Sequence, residues 1–328
     1  MERDFENIET YSSSSEASTS EKSTQKKSDA KLWVVASGKG GVGKTFVSSS
    51  LAITLSKLGH SVVIVDLDLS GANIHTSLGV NPSHMNIRHF FEGVKELQEL
   101  VIPTALPRLS YVQGFWDSWT PVDFTMNQID QLVPQMKSLR ADFVIVDLGA
   151  GALEPHLNLF KAADEKFLIT TPEPTSIEKT YRFIEAFVCH SLKENATPDA
   201  YGEMVSTLRS HRQRTLSKPF SFRSYLKEQT GLQYDFFETL TTKPVRLIVN
   251  STRSQMNADL GHSIKSVCNK YYDLGLDYLG CVDFDNAVWQ SIRSREHVLT
   301  AQPFTPLAGQ FLAACKQLIA PEELRAVV

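Results

Sequence analysis

The stretch "GKGGVGKT", residues 38–45, decides the fold of this chain, and it matches two nucleotide-binding patterns. Gly38, Gly40 and Gly43 fit the dinucleotide fingerprint G-x-G-x-x-G, and Gly38 to Thr45 also fit the phosphate loop G-x-x-x-x-G-K-[ST]. In both patterns a glycine-rich turn joins a buried strand to a helix. Here the apolar run "LWVVAS" (32–37) precedes the turn, and helical spacing follows it over 44–58. Residues beyond the glycines must therefore decide between the two.

The neighbours of this turn favour the phosphate loop. A lysine at position 44 reaches the β- and γ-phosphates of a nucleotide, and the hydroxyl of Thr45 can ligate Mg²⁺. A dinucleotide site needs instead an acid about 20 residues later, a place that Asp66 could take. However, the run "DFVIVD" (142–147) ends in Asp147, and a carboxylate after a buried strand holds the metal beside a phosphate loop. The sequence thus predicts a site for a nucleoside triphosphate with Mg²⁺.

The glycines have a physical task in such a loop, because backbone N–H groups can wrap phosphates only where no Cβ intrudes. The helix that starts near Lys44 adds the positive end of its dipole. The predicted nucleotide-binding residues of the loop are Gly38, Lys39, Gly40, Gly41, Val42, Gly43, Lys44, Thr45 and Phe46.

Composition narrows the class of protein. The 328 residues carry a formal net charge of −4, which argues against a protein that binds nucleic acid over most of its surface. No apolar stretch reaches the ~18 residues that a membrane-spanning helix needs, and the N-terminus lacks the apolar core of a signal peptide. The cysteines form no C-x-x-C pair, which disfavours an iron–sulfur or other metal site built from them. We expect a cytoplasmic protein with structural thiols.

Short apolar runs alternate with helical patterns from Lys31 onward. The runs are nearly continuous in Val, Ile and Leu, which is typical of parallel strands buried on both faces. They cover residues 32–37, 61–66, 142–147, 166–171, 245–250 and 276–282, and helical spacing covers 44–58, 174–192 and 256–273. The predicted fold class is α/β, a doubly wound, mostly parallel sheet of about seven to eight strands with helices on both faces. Ligands of such sheets bind beyond the carboxyl ends of the strands.

Three stretches depart from this pattern. Residues 1–30 form a leader rich in Ser, Thr, Glu and Lys that has almost nothing to bury, so we expect it to be disordered. Residues 97–127 indicate a strand pair followed by an aromatic loop. Residues 195–243 are polar and read as a helical, partly basic insertion on the rim of the sheet. The domain organisation is therefore predicted as a leader, 1–30, and a single P-loop ATPase domain, 31–328.

Four segments together resemble the deviant Walker A ATPases of the MinD/ParA class. They are "SGKGGVGKT" (37–45), "VVIVDLDLSGANIHTSLG" (62–79), "DFVIVDLGAG" (142–151) and "FLITTPEPTSIEKTYRFI" (167–184). The match covers residues 31–195 and 244–320 and is most similar to the flagellar-number and site-determining branch called FlhG. The resemblance implies a MinD-like fold and a slow, Mg²⁺-dependent ATP hydrolase that dimerises on ATP.

The resemblance also implies roles for individual residues. Lys39 matches the signature lysine, which in the family crosses a dimer interface to the phosphates held by the other subunit, and Lys44 matches the lysine that acts in its own subunit. Asp68 is expected to position the attacking water, which with the two lysines completes the catalytic set. Asn250 is expected to recognise the adenine edge. The implied metal residues are Thr45, Asp66 and Asp147.

For two of these residues an ordinary structural role stays open. The chain also departs from the family pattern at several positions. Asp68 could cap the following turn, and Asn250 could be an ordinary strand-end residue. Ser251 stands where the family often has Arg, and Asp283 stands where a proline is common. The leader lacks the D-Q-A motif of FlhG-type proteins, so a partnership with the flagellar GTPase FlhF is not supported.

The cellular role of a protein that dimerises on ATP depends on what its surfaces bind. The first hypothesis is an ATP-gated homodimer that positions a flagellar, division or cell-pole machine through a regulatory protein, in the cytoplasm or on the inner face of the membrane. The alternative is a nucleotide-gated DNA-binding protein of the partition type, using the basic residues 207–227, although a solvated or protein-docking surface is favoured there. The amphipathic C-terminal pattern (307–319) favours core packing over membrane docking. The aromatic loop with Phe115, Trp116 and Trp119 is expected to be buried, with docking of a partner as the alternative.

Overall fold

The structure is a computed structural model that describes residues 29–68, 71–115, 125–193, 197–199, 201–203, 205–206, 243–272 and 274–320. The basic segment 207–227, the leader up to residue 28, Trp116 and Trp119 lie outside these ranges. The predictions made for them, and for the insertion as a whole, stay predictions.

Within these ranges, strands form one eight-stranded sheet. They are β1 (Lys31–Ala36), β2 (Val62–Leu67), β3 (Val101–Pro103), β4 (Leu109–Val112), β5 (Phe143–Leu148), β6 (Glu165–Thr170), β7 (Val245–Thr252) and β8 (Leu276–Asp283). Their order is β3-β4-β2-β5-β1-β6-β7-β8, and every pair is parallel except β3–β4. The predicted fold class is confirmed, as is the strand pair within 97–127.

Helices cover both faces of the sheet. They are α1 (Lys44–Lys57), α2 (Ile74–Ser77), α3 (Ile87–Phe91), α4 (Met126–Lys137), α5 (Glu154–Ala162), α6 (Pro174–Lys193), α7 (Gln255–Tyr271), α8 (Asn286–Ser294), α9 (Val298–Ala301) and α10 (Pro306–Ile319). Strand residues alternate between the faces: Leu32 and Val34 join the core beneath α4, α5 and α6, whereas Trp33 and Val35 join the core beneath α1 and α10. Burial on both faces explains the continuous apolar runs.

The apolar face of α10 is part of this second core. Leu307, Phe311, Cys315 and Leu318 are all buried there. The prediction that the C-terminal pattern packs into the core is therefore confirmed for these residues. None of the helices in the described ranges is long and apolar enough to cross a bilayer.

The strand order brings distant parts of the sequence to one edge. Strand β5 lies between β1 and β2, with Val35 paired to Asp147 and Asp66 also paired to Asp147. Because all three strands run in parallel, the loops after their carboxyl ends meet at the same edge of the sheet. The glycine-rich loop, the segment after Asp66 and the segment after Asp147 are thereby neighbours.

Candidate nucleotide-binding site

The glycine-rich loop between β1 and α1 needs its glycines for two separate reasons. Gly41 and Gly43 adopt φ angles of 80° and 88°, a left-handed backbone that residues with a Cβ rarely adopt. Gly38 is needed for packing, since a Cβ there would lie 2.1 Å from the carbonyl oxygen of Lys179 on α6. The sequence motif predicts that the loop needs glycines, but only the tertiary structure shows that α6 packs against Gly38.

The loop opens onto the N-terminus of α1. Its N-cap, Gly43, makes no side-chain capping bond, and the first turn of the helix carries no acidic residue. The first N–H groups of a helix lack partners within the helix, so this end is suited to an anion. The ring of Phe46, by contrast, stacks on His297 and meets Phe311 edge-on in the core. The predicted contact of Phe46 with a nucleotide stays a prediction.

The two lysines of the loop have different partners. Lys44 is 5% exposed, and its Nζ lies 3.9 Å from Oδ2 of Asp68. Lys39 is 34% exposed, and its Nζ lies 2.6 Å from Oε2 of Glu173 and donates a hydrogen bond to Oγ1 of Thr175. Lys44 thus faces Asp68 in the segment after β2, whereas Lys39 is held by the segment that follows β6.

Glu173 is a site residue that sequence reasoning missed. It lies shortly after the carboxyl end of β6, while Asp66 and Asp147 are the next-to-last residues of β2 and β5. An acid placed soon after an apolar strand is a usable signal, the same one that identifies Asp66 and Asp147. Its partner Lys39 lies 134 residues earlier in the chain, so no local pattern links the pair.

Asp147 and Asp66 lie side by side on neighbouring strands and are almost fully buried. Burial raises the pKa of Asp147 to about 6, against the opposing effects of a hydrogen bond from Thr45 and the charge of Lys44. Burial, followed by the charge of Asp147, raises the pKa of Asp66 well above its usual value. Two buried acids that disfavour each other's charge are a place where a cation would be stabilising.

The chemistry of this cluster fits Mg²⁺. Oγ1 of Thr45 donates to Oδ2 of Asp147 at 2.6 Å, while the buried Oδ1 of Asp147 has no hydrogen-bond partner among the residues described. A hydroxyl and a carboxylate with an oxygen to spare are ligands that Mg²⁺ uses beside phosphates. Asp66 is engaged differently, because its two oxygens accept the N–H groups of Asp68 and Ile74. Its contact with a metal stays a prediction.

Those two hydrogen bonds give Asp66 a clear structural task. They attach the segment after β2 to the end of the strand, so that Asp68 and the start of α2 are set beside the glycine-rich loop. Asn73 is the N-cap of α2, and its carbonyl oxygen accepts from the N–H groups of Thr76 and Ser77. Asp66 therefore places the predicted catalytic carboxylate of Asp68.

Asn250 also reaches the loop. It is buried at the end of β7, and its Nδ2 donates to the carbonyl oxygen of Val42 at 2.8 Å. A Cβ on Gly43 would lie 2.3 Å from that nitrogen, so Asn250 occupies the space that the glycine leaves. The amide supports the loop directly; its predicted contact with adenine stays a prediction.

The structure thus gathers nearly all the predicted residues at one edge of the sheet, and comparison with known proteins agrees. Residues 29–195 match the family profile described as "ParA: NUBPL iron-transfer P-loop NTPase". The chain belongs to the ParA/MinD family of P-loop NTPases. The matched residues contain the glycine-rich loop, both lysines and the three aspartates.

Two relatives of this ParA/MinD chain show how far the similarity extends. It is 34% identical over 161 residues to the flagellum site-determining protein YlxH of Helicobacter pylori, an alignment that covers 48% of this chain and 53% of that protein. The chain thus spans about half the length of that relative. It is 24% identical over 289 residues to the antiactivator FleN of Pseudomonas aeruginosa, covering 87% of this chain and 84% of FleN.

A solved structure extends the likeness of fold to most of the chain. The septum site-determining protein MinD of Pyrococcus horikoshii, solved with Mg-ADP, superposes with a TM-score of 0.61 and 17% identity. The superposition covers 91% of this chain and 98% of that protein. At this identity the match supports the fold, and the predicted MinD-like architecture is confirmed.

Proposed function

We propose that this protein is a Mg²⁺-dependent ATPase whose ATP-bound form is a homodimer and whose turnover is slow in isolation. The observation that carries the proposal is the arrangement of the two lysines around one glycine-rich loop. Lys44 is buried beside Asp68 and would lie against a bound phosphate tail, whereas Lys39 is 34% exposed and pairs with Glu173. A partner subunit's phosphates are the complementary charge for the second lysine.

The other residues have roles that follow from where they lie. Backbone N–H groups of the loop and of α1 would hold the phosphates, and Thr45 and Asp147 would hold Mg²⁺. Bound Mg²⁺ would neutralise charge on the β- and γ-phosphates. Asp68, placed by Asp66, would orient the attacking water. Asn250 would support the loop from behind and contribute to binding the base.

The cellular role that we propose is positioning. The relatives named above include a flagellum site-determining protein and an antiactivator, and a structural neighbour is a septum site-determining protein. A dimer that forms on ATP and separates after hydrolysis is a switch that a regulatory partner can read. The absence of a C-x-x-C pair from the sequence is why the proposal does not extend to iron transfer.

The experiment that tests this proposal measures dimerisation by light scattering with ADP and with a non-hydrolysable ATP analogue. The wild-type protein should double its mass only with the ATP analogue. Lys39→Ala should still bind the analogue but remain monomeric, because it lacks the cation for the partner's phosphates. A matched variant, Lys316→Ala on α10, should dimerise like the wild type. Analogue-dependent dimers of Lys39→Ala would contradict the role of this lysine.

Glu173→Gln tests the role of Lys39 in the opposite direction, by freeing the lysine instead of removing it. Since Glu173 holds Lys39 within its own chain at 2.6 Å, removing the carboxylate charge should free the lysine and shift dimerisation to lower protein concentration. We expect a shift of about 3- to 10-fold, as for a half-exposed ion pair. A Gln variant that dimerises less readily than the wild type would show that Glu173 contributes to the dimer instead of competing with it.

The partition-type alternative has one specific feature in its favour. Residues 207–227 carry Arg209, Arg212, Arg214, Lys218, Arg223 and Lys227 and no acid. Phosphate contacts make DNA binding strongly salt-dependent, so a salt titration on random duplex DNA with each nucleotide tests it. Binding that appears only with the ATP analogue and falls steeply with salt would favour the DNA-binding function over the positioning one.

A further inference from the structure

Helix α2 is too short to keep its position without contacts to the rest of the fold. It has four residues, Ile74–Ser77, and isolated helices shorter than about 12 residues are marginal in water. The helix follows Asp68 in the chain, and the carboxylate of Asp66 binds the N–H groups of both Asp68 and Ile74. A shift of α2 would therefore disturb the hydrogen bonds that place Asp68. The contacts that hold α2 also hold this carboxylate.

The two ends of α2 are held by different kinds of contact. Ile74 is fully buried in the core beneath α1 and α10. Ser77, the last residue of the helix, has its Oγ 3.0 Å from Oγ of Ser49 on α1. Ser49 is itself fully buried, and its Oγ lies 3.1 Å from Nε2 of the buried His297. We name Ser49, Ser77 and His297 the serine–histidine junction.

The direction of each hydrogen bond in the junction follows from the outer partners. Nδ1 of His297 accepts the N–H of Leu299 at 3.2 Å, so Nε2 carries the proton and donates to Ser49. The nearest acceptor for the single proton of Ser49 is the carbonyl oxygen of Thr45, at 2.6 Å. Because a hydroxyl has one proton and two acceptor sites, Ser49 accepts from Ser77. The hydroxyl of Ser49 is then fully used, and Ser77 is the donor that attaches α2.

The junction is uncharged and enclosed. Burial lowers the pKa of His297 to about 3, so the ring is neutral at physiological pH. The ring also stacks on Phe46 of α1. The carbonyl oxygen of Arg295 lies 2.3 Å from the place that a Cβ on Gly79 would take, and Gly79 follows α2 with a φ of 68°. The end of α2 is thus enclosed by α1 on one side and by the segment before α9 on the other.

We propose that Ser77 is a positioning residue for ATP hydrolysis, because its hydrogen bond to Ser49 fixes α2 on α1 and thereby fixes Asp68. The inference rests on the proposed function, in which Asp68 orients the attacking water. Ser49 lies four residues after Thr45 on the same helix. One helix therefore carries both the predicted Mg²⁺ ligand and the attachment point of α2. Since a small misplacement of a catalytic group lowers a rate strongly, this shared support matters for turnover.

Mutual satisfaction of buried hydroxyl groups is the other explanation of the junction. That explanation predicts that removing Ser77 lowers stability, while turnover by the folded protein stays the same. The positioning role predicts instead that kcat falls while ATP is still bound normally, because Ser77 supports Asp68 and not the glycine-rich loop. A comparison of kcat with KM therefore separates the two explanations.

The first measurement is steady-state ATP turnover with Mg²⁺. Ser77→Ala should lower kcat about 10-fold and leave the KM for ATP within about 2-fold of the wild type, since the glycine-rich loop is intact. Ser77→Thr keeps the hydroxyl at a half-buried position and should restore kcat. Ser56→Ala is the matched control. It removes a buried hydroxyl of α1 that bonds only to the carbonyl oxygen of Ile53 on the same helix, and it should change neither constant.

A double-mutant cycle tests whether Ser49 and Ser77 act through each other. Ser49→Ala should lower kcat at least as much as Ser77→Ala. The variant with both changes should be no slower than Ser49→Ala alone, because each change removes the same hydrogen bond. Effects of the two changes that multiply in the double variant would overturn the proposal.

Hydrogen–deuterium exchange without nucleotide gives a readout that does not depend on ATPase activity. Peptides that span residues 76–80 should exchange about 5-fold faster in Ser77→Ala than in the wild type and in Ser56→Ala. Unchanged exchange in Ser77→Ala would overturn the inference. A wild-type protein that binds ATP without hydrolysing it would refute the proposed function and this role together. A hydrolysing wild type whose kcat is matched by Ser77→Ala would refute this role alone.

Discussion

Charged side chains are arranged differently at the two ends of the parallel sheet. At the amino ends of β6, β7 and β8, Arg246 pairs with Glu165 at 3.0 Å and with Asp277 at 2.8 Å, and Lys265 also pairs with Asp277. At the carboxyl ends of β2 and β5, Asp66 and Asp147 lie side by side, and burial raises the pKa of both. The amino-end cluster thus pairs opposite charges within the chain, whereas Asp66 and Asp147 at the carboxyl end are two like charges buried side by side.

This difference separates a surface built for stability from one built for a ligand. Opposite charges at the amino end stabilise the fold without any ligand, whereas we predict that the two buried acids at the carboxyl end are stabilised fully only when a cation binds. Buried like charges and left-handed glycines are features that proteins retain where function needs them. The following predictions test that contrast, from the largest expected effect to the smallest.

Lys44→Ala should lower the affinity for ATP at least 100-fold, because the variant loses the buried cation directed at the phosphates. Isothermal titration with the ATP analogue and a phosphate-release assay measure binding and turnover. Lys265→Ala, which removes a cation from the amino end, should change neither. Unchanged ATP affinity and turnover in Lys44→Ala would show that the loop does not bind a triphosphate.

Asp68→Ala should lower turnover by roughly 100-fold while ATP remains bound, since water would no longer be oriented for attack. Single-turnover phosphate release measures the chemical step, and light scattering should show a dimer that persists with ATP. Asp130→Ala, at an exposed aspartate on α4, serves as the matched control. Normal hydrolysis by Asp68→Ala would leave this residue with only a structural role.

Asp147→Asn should stabilise the protein in the absence of nucleotide and metal. Because the pKa of Asp147 is about 6 in the folded state, against an ordinary value of 3.8 for the unfolded chain, the folded state binds more protons between those values. Stability therefore falls as pH rises through that window. Asparagine removes this loss, by roughly 1–3 kcal/mol at pH 7.5. Urea unfolding at pH 7.5 and pH 4 measures it.

The same variant should lose Mg²⁺-dependent hydrolysis, because the amide cannot replace the carboxylate at the metal. Its gain in stability should vanish at pH 4, where the wild-type carboxyl is protonated in the folded state. A variant less stable than the wild type at pH 7.5 would mean that the carboxylate is already compensated without a cation, and the contrast between the two ends would fail.

Arg246→Met should destabilise the fold by about 1–2 kcal/mol with turnover unchanged, since the pairs it removes are partly solvated. Burial raises the pKa of Asp277, but Lys265 and then Arg246 outweigh burial and lower it. The stabilisation is therefore present at neutral pH and is lost as the pH falls through the depressed pKa. Urea unfolding against pH measures this, with Lys270→Met on α7 as control. A change in ATP turnover in Arg246→Met would show that the two ends of the sheet are energetically coupled, contrary to this prediction.

Much of the site could be predicted because its motifs are local. The loop 38–45 is contiguous, and Asp66 and Asp147 each end an apolar run that identifies its strand. Glu173 was missed although it too follows a strand, since an acid alone does not reveal which cation it will meet. The motif also does not predict that the ring of Phe46 stacks on His297, a residue about 250 positions later in the chain.

The sequence by itself determined that a phosphate loop joins a buried strand to a helix, because that turn needs glycines, a lysine and a hydroxyl in adjacent positions. Only the tertiary structure decided which distant residues meet it: Asp147 beside Asp66, Glu173 on Lys39, and Asn250 beneath Val42. It also decided that Trp289 and Ile292 of α8 face solvent. Periodicity identifies the apolar side of a helix, but strand order and packing determine whether anything covers it.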